Sequence, residues 1–349
     1  MSFTGDSPQY VQTSLAGALS LGLQSGRFLR NAGCGCLNLL LTYGNGCKAS
    51  CSYCGLAHNR IKDSGDTFIR VPWPTYSLNQ ILEQMQARRH PFKRVCVSMI
   101  THGHAVEDTC VIVDRVTRET GLPVSGLLSP TVMKGRPDLE KMRSAGMERA
   151  GIAVDAATEA LFIKHRGQGV GGPHQWGKYW QTIAEAVDVF GPYMVGVHMI
   201  VGLGETEQEM VATIARAQEM GAVTHLFSFF PEAGSLMQNC PQPELDVYRR
   251  IQLARYLINN GLININAMQF SEAGKILDFG IDIEPYVETG EPFMTSGCPD
   301  EHGKVACTRP FGNERASEPM RNYPFPPDTQ DIKIIKSQIG EGAEVCGRA

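Results

Sequence analysis

The sequence lacks a strong excess of either charge and lacks any apolar run long enough to cross a bilayer. Its 349 residues carry 32 Lys and Arg against 36 Asp and Glu, which gives a formal net charge of −4. Such a balance is not typical of proteins that bind nucleic acid or membrane surfaces. No early segment combines a basic start, an apolar run and a small-residue cleavage site, so no secretory signal is expected. We therefore predict a cytoplasmic protein without nucleic-acid or membrane partners.

Cysteine, in contrast, is plentiful, with 11 in the chain. In a reducing compartment this number indicates metal ligation more than a disulfide framework. The cysteines are also unevenly spread, because Cys34, Cys36, Cys47, Cys51 and Cys54 fall in one short stretch.

Apolar, β-rich runs alternate with helical patterns along most of the chain. An amphipathic helix is predicted over residues 10–24. Strands are predicted at 37–42, 95–100, 124–128, 151–154, 195–201, 225–230, 263–268 and 292–296. Helices are predicted between them at 77–89, 106–119, 137–145, 178–190, 205–219 and 243–260. This α/β alternation predicts a TIM-type (βα)8 barrel, with a doubly wound sheet as the alternative. We expect a lead-in over residues 1–36, the barrel over 37–297 and an irregular extension over 298–349.

Three cysteines, Cys47, Cys51 and Cys54, lie on a short loop directly after the first buried run. Three thiolates can ligate three irons of a 4Fe–4S cubane and leave the fourth iron open for another ligand. A structural zinc site needs a fourth ligand, which Cys34 or Cys36 could supply. A zinc-bound scaffold protein is therefore the alternative at this point.

The CxxxCxxC spacing, with Tyr53 just before the last cysteine, resembles the signature of the radical S-adenosylmethionine (SAM) superfamily. The resemblance implies that the open iron binds the methionine part of SAM and that reduction yields a 5′-deoxyadenosyl radical. Tyr53 would then lie near the adenine.

Several further segments resemble biotin synthase and its relatives. The clearest is Gly196-Val-His-Met-Ile-Val-Gly-Leu-Gly-Glu205, which is similar to a strand and turn beside the adenine and ribose in that group. The resemblance implies cofactor contacts from Gly202, Gly204 and Glu205, with Glu205 placed to start the next helix. It also implies that Asp155 faces the cofactor, although Asp155 could instead cap a helix.

A basic loop after the fourth predicted strand offers one more cofactor contact. Arg166 or His174 could bind the methionine carboxylate, since Arg suits bidentate carboxylate recognition. A solvated surface loop is the alternative.

The departures from biotin synthase matter as much as the matches. That enzyme holds a second, 2Fe–2S cluster on three cysteines and an arginine, and only Cys96 has a counterpart here. The other positions correspond to Ser125 (or a neighbour), Val197 and Gln269, which are not good iron ligands. Biotin formation by that route is therefore not expected.

The carboxyl-terminal part, from Gly297-Cys298-Pro to Cys307 and Arg321-Asn-Tyr-Pro-Phe325, resembles the split, two-subunit lipoyl synthases. The resemblance implies an auxiliary iron–sulfur cluster on Cys298 and Cys307, with further ligands from Cys34, Cys36, Cys346, a serine or a partner. We expect Cys298 and Cys307 near the same barrel mouth as Cys47–Cys54, with Cys34 and Cys36 at the opposite end.

The function predicted from these resemblances is sulfur insertion into a protein-bound octanoyl chain. The implied partners are an octanoylated lipoyl-domain protein, a sister radical SAM subunit, and a ferredoxin or flavodoxin. A radical isomerase or maturase without sulfur chemistry, similar to methylornithine synthase, is the alternative.

A few other polar residues are candidates for contacts with substrate or partners. His102 and His104 follow the second predicted strand, and residues 230–235 resemble a substrate-side loop. Arg309, Arg315 and Arg321 could meet an acidic carrier protein, close over the site or simply carry surface charge.

Overall fold

The computed structural model describes residues 5–61, 67–87, 90–315 and 317–340. Cys346 lies outside this range, as do residues 88–89 at the end of one predicted helix. The described strands are β1 Tyr10–Thr13, β2 Cys36–Leu41, β3 Thr67–Phe68, β4 Val71–Pro72, β5 Thr75–Ser77, β6 Arg94–Ser98, β7 Val124–Leu128, β8 Met147–Asp155, β9 Val195–Val201, β10 Val223–Ser228, β11 Gln269–Phe270 and β12 Ile276–Asp278.

Helices follow most of the long strands. The described α-helices are α1 Leu15–Ser20, α2 Leu78–Ala87, α3 Ala105–Thr120, α4 Arg136–Ser144, α5 Glu159–His165, α6 Trp176–Phe190, α7 Glu207–Glu219, α8 Leu245–Asn259, α9 Glu284–Thr289, α10 Arg309–Gly312 and α11 Thr329–Gly340. None of the helices formed by the described residues is long and apolar enough to cross a membrane.

The main sheet has eight strands in the order β10-β9-β8-β7-β6-β2-β1-β5. The six strands from β10 to β2 are mutually parallel, whereas β1 pairs antiparallel with both β2 and β5. Parallel strands joined by helices bury both faces, which is why these strands read as continuous apolar runs. The predicted α/β class with a largely parallel sheet is confirmed.

The composition of the eight strands differs from the prediction. Residues 263–268 and 292–296 were predicted to be the last two parallel strands, but they form 3-10 turns at Ile265–Ala267 and Glu291–Phe293. The side chain of Asn264 accepts the N–H of Asn266 at 2.9 Å, which closes the first turn. Pro292 has no N–H to give to a ladder. The sheet therefore contains six βα-type parallel strands, followed at one edge by β1 and β5, which are joined through antiparallel pairings.

The amino-terminal segment supplies one of those antiparallel strands. The helix predicted over residues 10–24 is instead β1 followed by the short helix α1. The β-branched residues Val11 and Thr13 are buried on alternate positions, which suits a strand. Ser14 then caps α1, because its hydroxyl accepts the N–H of Gly17 at 3.1 Å.

The carboxyl-terminal segment lies across the side of the sheet between β10 and the amino-terminal strands. The Ser296 hydroxyl accepts the N–H of Leu226 in β10 at 3.2 Å, and the Thr308 hydroxyl donates to the carbonyl of Gly33 at 3.3 Å. Further along, the buried guanidinium of Arg249 donates to the carbonyl of Arg321 at 2.6 Å. The extension predicted to be irregular thus includes α10 and α11 and packs on the barrel-like core.

Candidate functional site

The loop that carries Cys47, Cys51 and Cys54, called here the three-cysteine loop, follows the carboxyl end of β2. Neighbouring elements hold its backbone. The N–H of Lys48 donates to the carbonyl of Thr101 at 2.8 Å, and that of Ser52 donates to His165 at 2.9 Å. The loop is therefore fixed against the ends of β6 and α5 rather than projecting into solvent.

The three thiols have surroundings that suit iron ligation. Backbone N–H groups of Ala49 and Leu56 point at the sulfurs of Cys47 and Cys54, at 3.5 and 3.4 Å. Burial raises the pKa of the Cys51 and Cys54 thiols, and at Cys51 this is opposed by the guanidinium of Arg166. Positive iron would offset the cost of burying the thiolates, and N–H donors stabilise them further. The donor set thus fits a 4Fe–4S cluster.

Within the described ranges, no three His, Cys, Asp or Glu side chains are placed to share a single metal ion. A cubane sets a different requirement, since each of its irons takes one protein thiolate.

Tyr53, Asp155 and Arg166 form a connected polar unit beside the three-cysteine loop. The Tyr53 hydroxyl donates to Asp155 at 2.5 Å, and the Arg166 guanidinium lies 3.2 Å from the same carboxylate oxygen. Asp155 has a left-handed backbone, with φ of 65°, at the end of β8. It does not cap the next helix, because Thr158 caps α5. Asp155 therefore links the aromatic residue of the cysteine loop to a buried arginine.

The turn after β9 brings Gly202, Gly204 and Glu205 to the same end of the sheet. Both glycines have positive φ values, 107° and 113°. The Glu205 carboxylate folds back and accepts the N–H groups of Gly202 and Leu203, at 2.6 and 2.9 Å. Thr206, not Glu205, caps the following helix α7. Glu205 thus holds the turn in shape instead of starting the helix.

His165 joins this turn to the three-cysteine loop. One ring nitrogen lies 2.8 Å from the Ser52 hydroxyl and the other lies 3.0 Å from the carbonyl of Leu203. Burial lowers the pKa of this imidazole, which keeps it neutral as a bridge. This role could not be predicted from the residue type, because a single histidine at a helix end has many uses.

A largely apolar cavity opens beside Tyr53, Cys54 and Asp155, with a volume of about 940 Å³ including the part open to solvent. Its walls come from alternate residues of the inner strand faces and from the loops above them. The apolar lining consists of Phe68, Ile69, Leu127, Ala153, Ile200, Phe227, Phe229, Phe230 and Pro310. The polar lining includes Arg70, His198, Glu232, Arg309 and Asn313. A cavity of this kind suits an organic substrate with long apolar parts.

Two of these polar residues were not singled out in the sequence. Glu232 belongs to the loop 230–235 that resembles a substrate-side loop; it is 3% exposed and accepts the N–H of Arg70 at 2.8 Å, so it ties the segment after the cysteine loop to the loop after β10. The imidazole of His198, in β9, lines the cavity, whereas the adjacent Val197 points outward into the helical layer. The inward position on this strand is thus His198, not Val197.

A second group of thiols lies at the amino-terminal ends of the parallel strands. We call it the interior cysteine group; its members are Cys34, Cys36, Cys96, Cys298 and Cys307. The side chains of Cys36 and Cys307 lie next to each other, and those of Cys307 and Cys298 both lie near Cys96. The prediction that Cys298 and Cys307 lie at the mouth with Cys47–Cys54 is wrong. Cys307 lies beside Cys36, and Cys298 lies beside Ser125 and Arg94, at the opposite end of the strands.

Arg309 reaches from the interior cysteine group to the cavity. It lines the cavity, and one of its Nη atoms donates to the Ser98 hydroxyl at 3.1 Å. That hydroxyl lies 3.9 Å from the sulfur of Cys96. The cavity is thus bordered by Cys54 on one side and, through Arg309, by the interior cysteine group on the other.

Other predicted site residues lie apart from the cavity. His102 stacks on Tyr43, with ring centroids 3.7 Å apart, and His104 adjoins it. His174 is 2.9 Å from the Tyr179 hydroxyl, and burial lowers the pKa of its imidazole to about 2.

Several candidates turn out to hold the carboxyl-terminal segment together or to lie on the surface. Arg315 and Arg321 donate to the backbone carbonyls of Arg70 and Pro243, at 3.4 and 2.8 Å. Gln269 is exposed in β11. Gln269 therefore has no place near either group of thiols.

These features define an α/β protein with a cluster-type cysteine loop at the carboxyl ends of its parallel strands. The family model of the radical SAM superfamily matches residues 41–217. The chain belongs to the radical SAM superfamily, so it is an enzyme whose family implies a 4Fe–4S cluster and SAM.

Similar solved structures include radical SAM enzymes of several kinds. The crystal structure of methylornithine synthase (PylB) is 16% identical, covers 71% of this chain and 76% of its own, and gives a TM-score of 0.48. HydG, a maturase of the FeFe-hydrogenase, is 11% identical with a TM-score of 0.46, covering 64% of this chain and 49% of its own.

The radical SAM methyltransferase TsrM from Kitasatospora setae is 12% identical with a TM-score of 0.39, covering 91% of this chain and 64% of its own. At these values the likenesses carry no argument about activity. A search of curated proteins finds no match to the chain.

Proposed function

We propose that this radical SAM enzyme inserts sulfur into an unactivated C–H position of an acyl chain, in the manner of the lipoyl synthases. The observation that carries the proposal is the position of the cavity, between the three-cysteine loop and the interior cysteine group. Sulfur insertion needs a source of radical and a source of sulfur on the same substrate, and this arrangement offers a place for both.

The three-cysteine loop would hold the 4Fe–4S cluster through Cys47, Cys51 and Cys54. When bound, the cluster and SAM supply the 5′-deoxyadenosyl radical that removes a substrate hydrogen atom. The residues of the chain position the cofactor. Tyr53 and Asp155 border the cavity beside Cys54, and the Gly202–Gly204 turn lets backbone approach a flat ligand closely.

The walls of the cavity suit an acyl substrate. Phe227, Phe229 and Ile200 offer apolar contact to a hydrocarbon chain and keep water away from a reactive radical. The interior cysteine group would carry an auxiliary iron–sulfur cluster as the source of sulfur. The substrate we favour is an octanoyl group on the lysine of a lipoyl domain, so the substrate would also be a protein partner.

Further partners and the compartment belong to the same proposal. A sister radical SAM subunit would share the two sulfur insertions, and a ferredoxin or flavodoxin would deliver electrons. None of the described cysteines forms a disulfide, as expected of a protein in the cytoplasm, the compartment that we propose for this reaction.

The test is an anaerobic reaction of the reconstituted full chain with SAM, a reductant and an octanoylated lipoyl domain, with mass spectrometry of the domain. We expect at least one new C–S bond and formation of 5′-deoxyadenosine. A Cys54→Ala chain serves as control and should give neither product. Formation of 5′-deoxyadenosine with loss of substrate hydrogen but no sulfur would overturn sulfur insertion and favour an isomerase-like reaction.

A further inference from the structure

The interior cysteine group is assembled from three separate parts of the sequence. Cys34 and Cys36 lie at the start of β2, Cys96 lies in β6, and Cys298 and Cys307 lie in the carboxyl-terminal segment. Cys34, Cys36 and Cys96 are 4%, 0% and 9% exposed. Because these buried thiols come from three distant segments, their proximity is a result of the tertiary fold and not of local sequence, which suggests a shared role.

The backbone around these thiols is closely fitted. The N–H groups of Ala306 and Cys307 both donate to the carbonyl of Cys298 at 3.1 Å, which pins the two carboxyl-terminal cysteines to each other. A Cβ added to Gly35 would come within 2.5 Å of the carbonyl oxygen of Ala306. Glycine at this position therefore allows the segment of Cys307 to lie against that of Cys36.

Strand register brings Cys96 to the same place. Asn38 in β2 pairs with Cys96 in β6, which in turn pairs with Ser125 in β7. The Cys298 side chain lies beside that of Ser125. Cys96 thus lies on β6, the strand next to that of Cys36, and Cys298 lies beside the following strand, β7.

Three arginines surround the thiols. Arg94 donates to the carbonyl of Pro299 at 2.7 Å and to the Ser125 hydroxyl at 3.0 Å. The positive charges of Arg94 and Arg149 favour the thiolate form of Cys298, and that of Arg309 favours the thiolate forms of Cys96 and Cys307. Arg94 and Arg309 are buried and Arg149 is half-buried. Cations next to several thiols are suited to a group that carries negative charge once its cysteines are deprotonated.

We propose that four thiols of the interior cysteine group are the protein ligands of a second iron–sulfur cluster, of the 4Fe–4S type: Cys36, Cys96, Cys298 and Cys307. Cys34 is not included, because its sulfur hydrogen-bonds the carbonyl of Cys36 at 3.1 Å. The inference deepens the proposed function by naming the site of its sulfur source, but the metal site can exist without sulfur insertion. Each iron takes one thiolate, so the ligands need not converge on one ion.

The test starts from a full-length chain in which Cys47, Cys51 and Cys54 are replaced by Ala. After anaerobic reconstitution we expect about four irons and four sulfides per chain, with the Mössbauer spectrum of a cubane. Adding Cys298→Ser and Cys307→Ser should reduce iron to near zero. Adding Cys96→Ser alone leaves three thiolates, so it should lower the iron content and change the Mössbauer spectrum. The matched controls are Cys110→Ser and Cys240→Ser, which lie outside the group and should leave iron unchanged.

Three results would overturn the ligand assignment: no iron in the starting chain, zinc in place of iron, or about four irons retained after Cys298→Ser and Cys307→Ser. Circular dichroism of the metal-free variants checks folding. If Cys96→Ser fails to fold, the iron content of the Cys298→Ser and Cys307→Ser variant decides whether the ligand assignment stands. An iron-containing second site in a chain that forms no C–S bond would leave this inference standing and refute the proposed function. Formation of a C–S product by a chain whose Cys298→Ser and Cys307→Ser variant retains its iron would support the proposed function and refute the ligand assignment.

Discussion

The two groups of thiols differ in how the chain assembles them. The three-cysteine loop comes from one short stretch at the carboxyl ends of the strands, and backbone N–H groups and a nearby arginine surround its sulfurs. The interior cysteine group comes from three distant segments at the amino-terminal ends, with Arg94, Arg149 and Arg309 around it. The first site is thus local in sequence, whereas the second exists only after the chain has folded.

The largest effect is expected from the three-cysteine loop. Replacing Cys47, Cys51 and Cys54 by Ala should abolish SAM cleavage, because no thiolates remain for the radical cluster. Iron should fall by about four per chain and no 5′-deoxyadenosine should be detectable by chromatography. SAM cleavage by this variant would mean that the radical cluster lies elsewhere.

Substitutions in the interior cysteine group should separate SAM cleavage from formation of the C–S bond. Cys298→Ser with Cys307→Ser should leave SAM cleavage within about twofold of wild type, since these residues are remote from the SAM side of the cavity. The C–S product should disappear. A chain that loses SAM cleavage to the same extent would show that the two groups do not act separately.

The polar unit beside the loop should affect SAM binding rather than iron content. Asp155→Asn removes the charge that holds both Tyr53 and Arg166, and charged hydrogen bonds contribute about 1.5–3 kcal/mol. We expect the Kd for SAM to rise about 10- to 100-fold, measured by equilibrium dialysis. Asp114→Asn, at an exposed ion pair with Arg118, is the matched control and should change little. Unchanged SAM affinity in Asp155→Asn would remove Asp155 from the cofactor site.

The smallest effect is expected at the turn after β9. Glu205→Gln keeps the shape of the side chain but loses one acceptor for the N–H groups of Gly202 and Leu203. A typical intramolecular hydrogen bond makes a net contribution of about 1 kcal/mol, so the Kd for SAM should rise about fivefold. Glu219→Gln, on the exposed end of α7, should leave it unchanged. A fall in Tm without any change in Kd would assign Glu205 a role in stability alone.

Much of the fold could be predicted from periodicity. The strand at Val195–Val201 and the helices around Ala105–Thr120 and Leu245–Asn259 were predicted nearly to the residue, because each buries a regular apolar face. The strand predictions for residues 263–268 and 292–296 were wrong, because apolar runs of that length do not distinguish a strand from a 3-10 turn. In the second, Pro292 added a local breaker.

The candidate site divides in the same way. Cys47, Cys51, Cys54 and Tyr53 were found because their spacing is itself a signal. The position of Cys298 and Cys307 could not be predicted, since it depends on the chain turning back along β10 after Ser296. His198 was missed by one residue, because only strand register decides which of two neighbours faces inward.

The most direct measurement traces the sulfur atom. The full-length chain is reconstituted with sulfide enriched in the heavy sulfur isotope and then passed through a single turnover in unlabelled buffer with an octanoylated lipoyl domain. The account predicts that the new C–S bond carries the heavy isotope, and that Cys298→Ser with Cys307→Ser abolishes the labelled product. Unlabelled sulfur in the product, or labelled product from that variant, would contradict a sulfur source in the interior cysteine group.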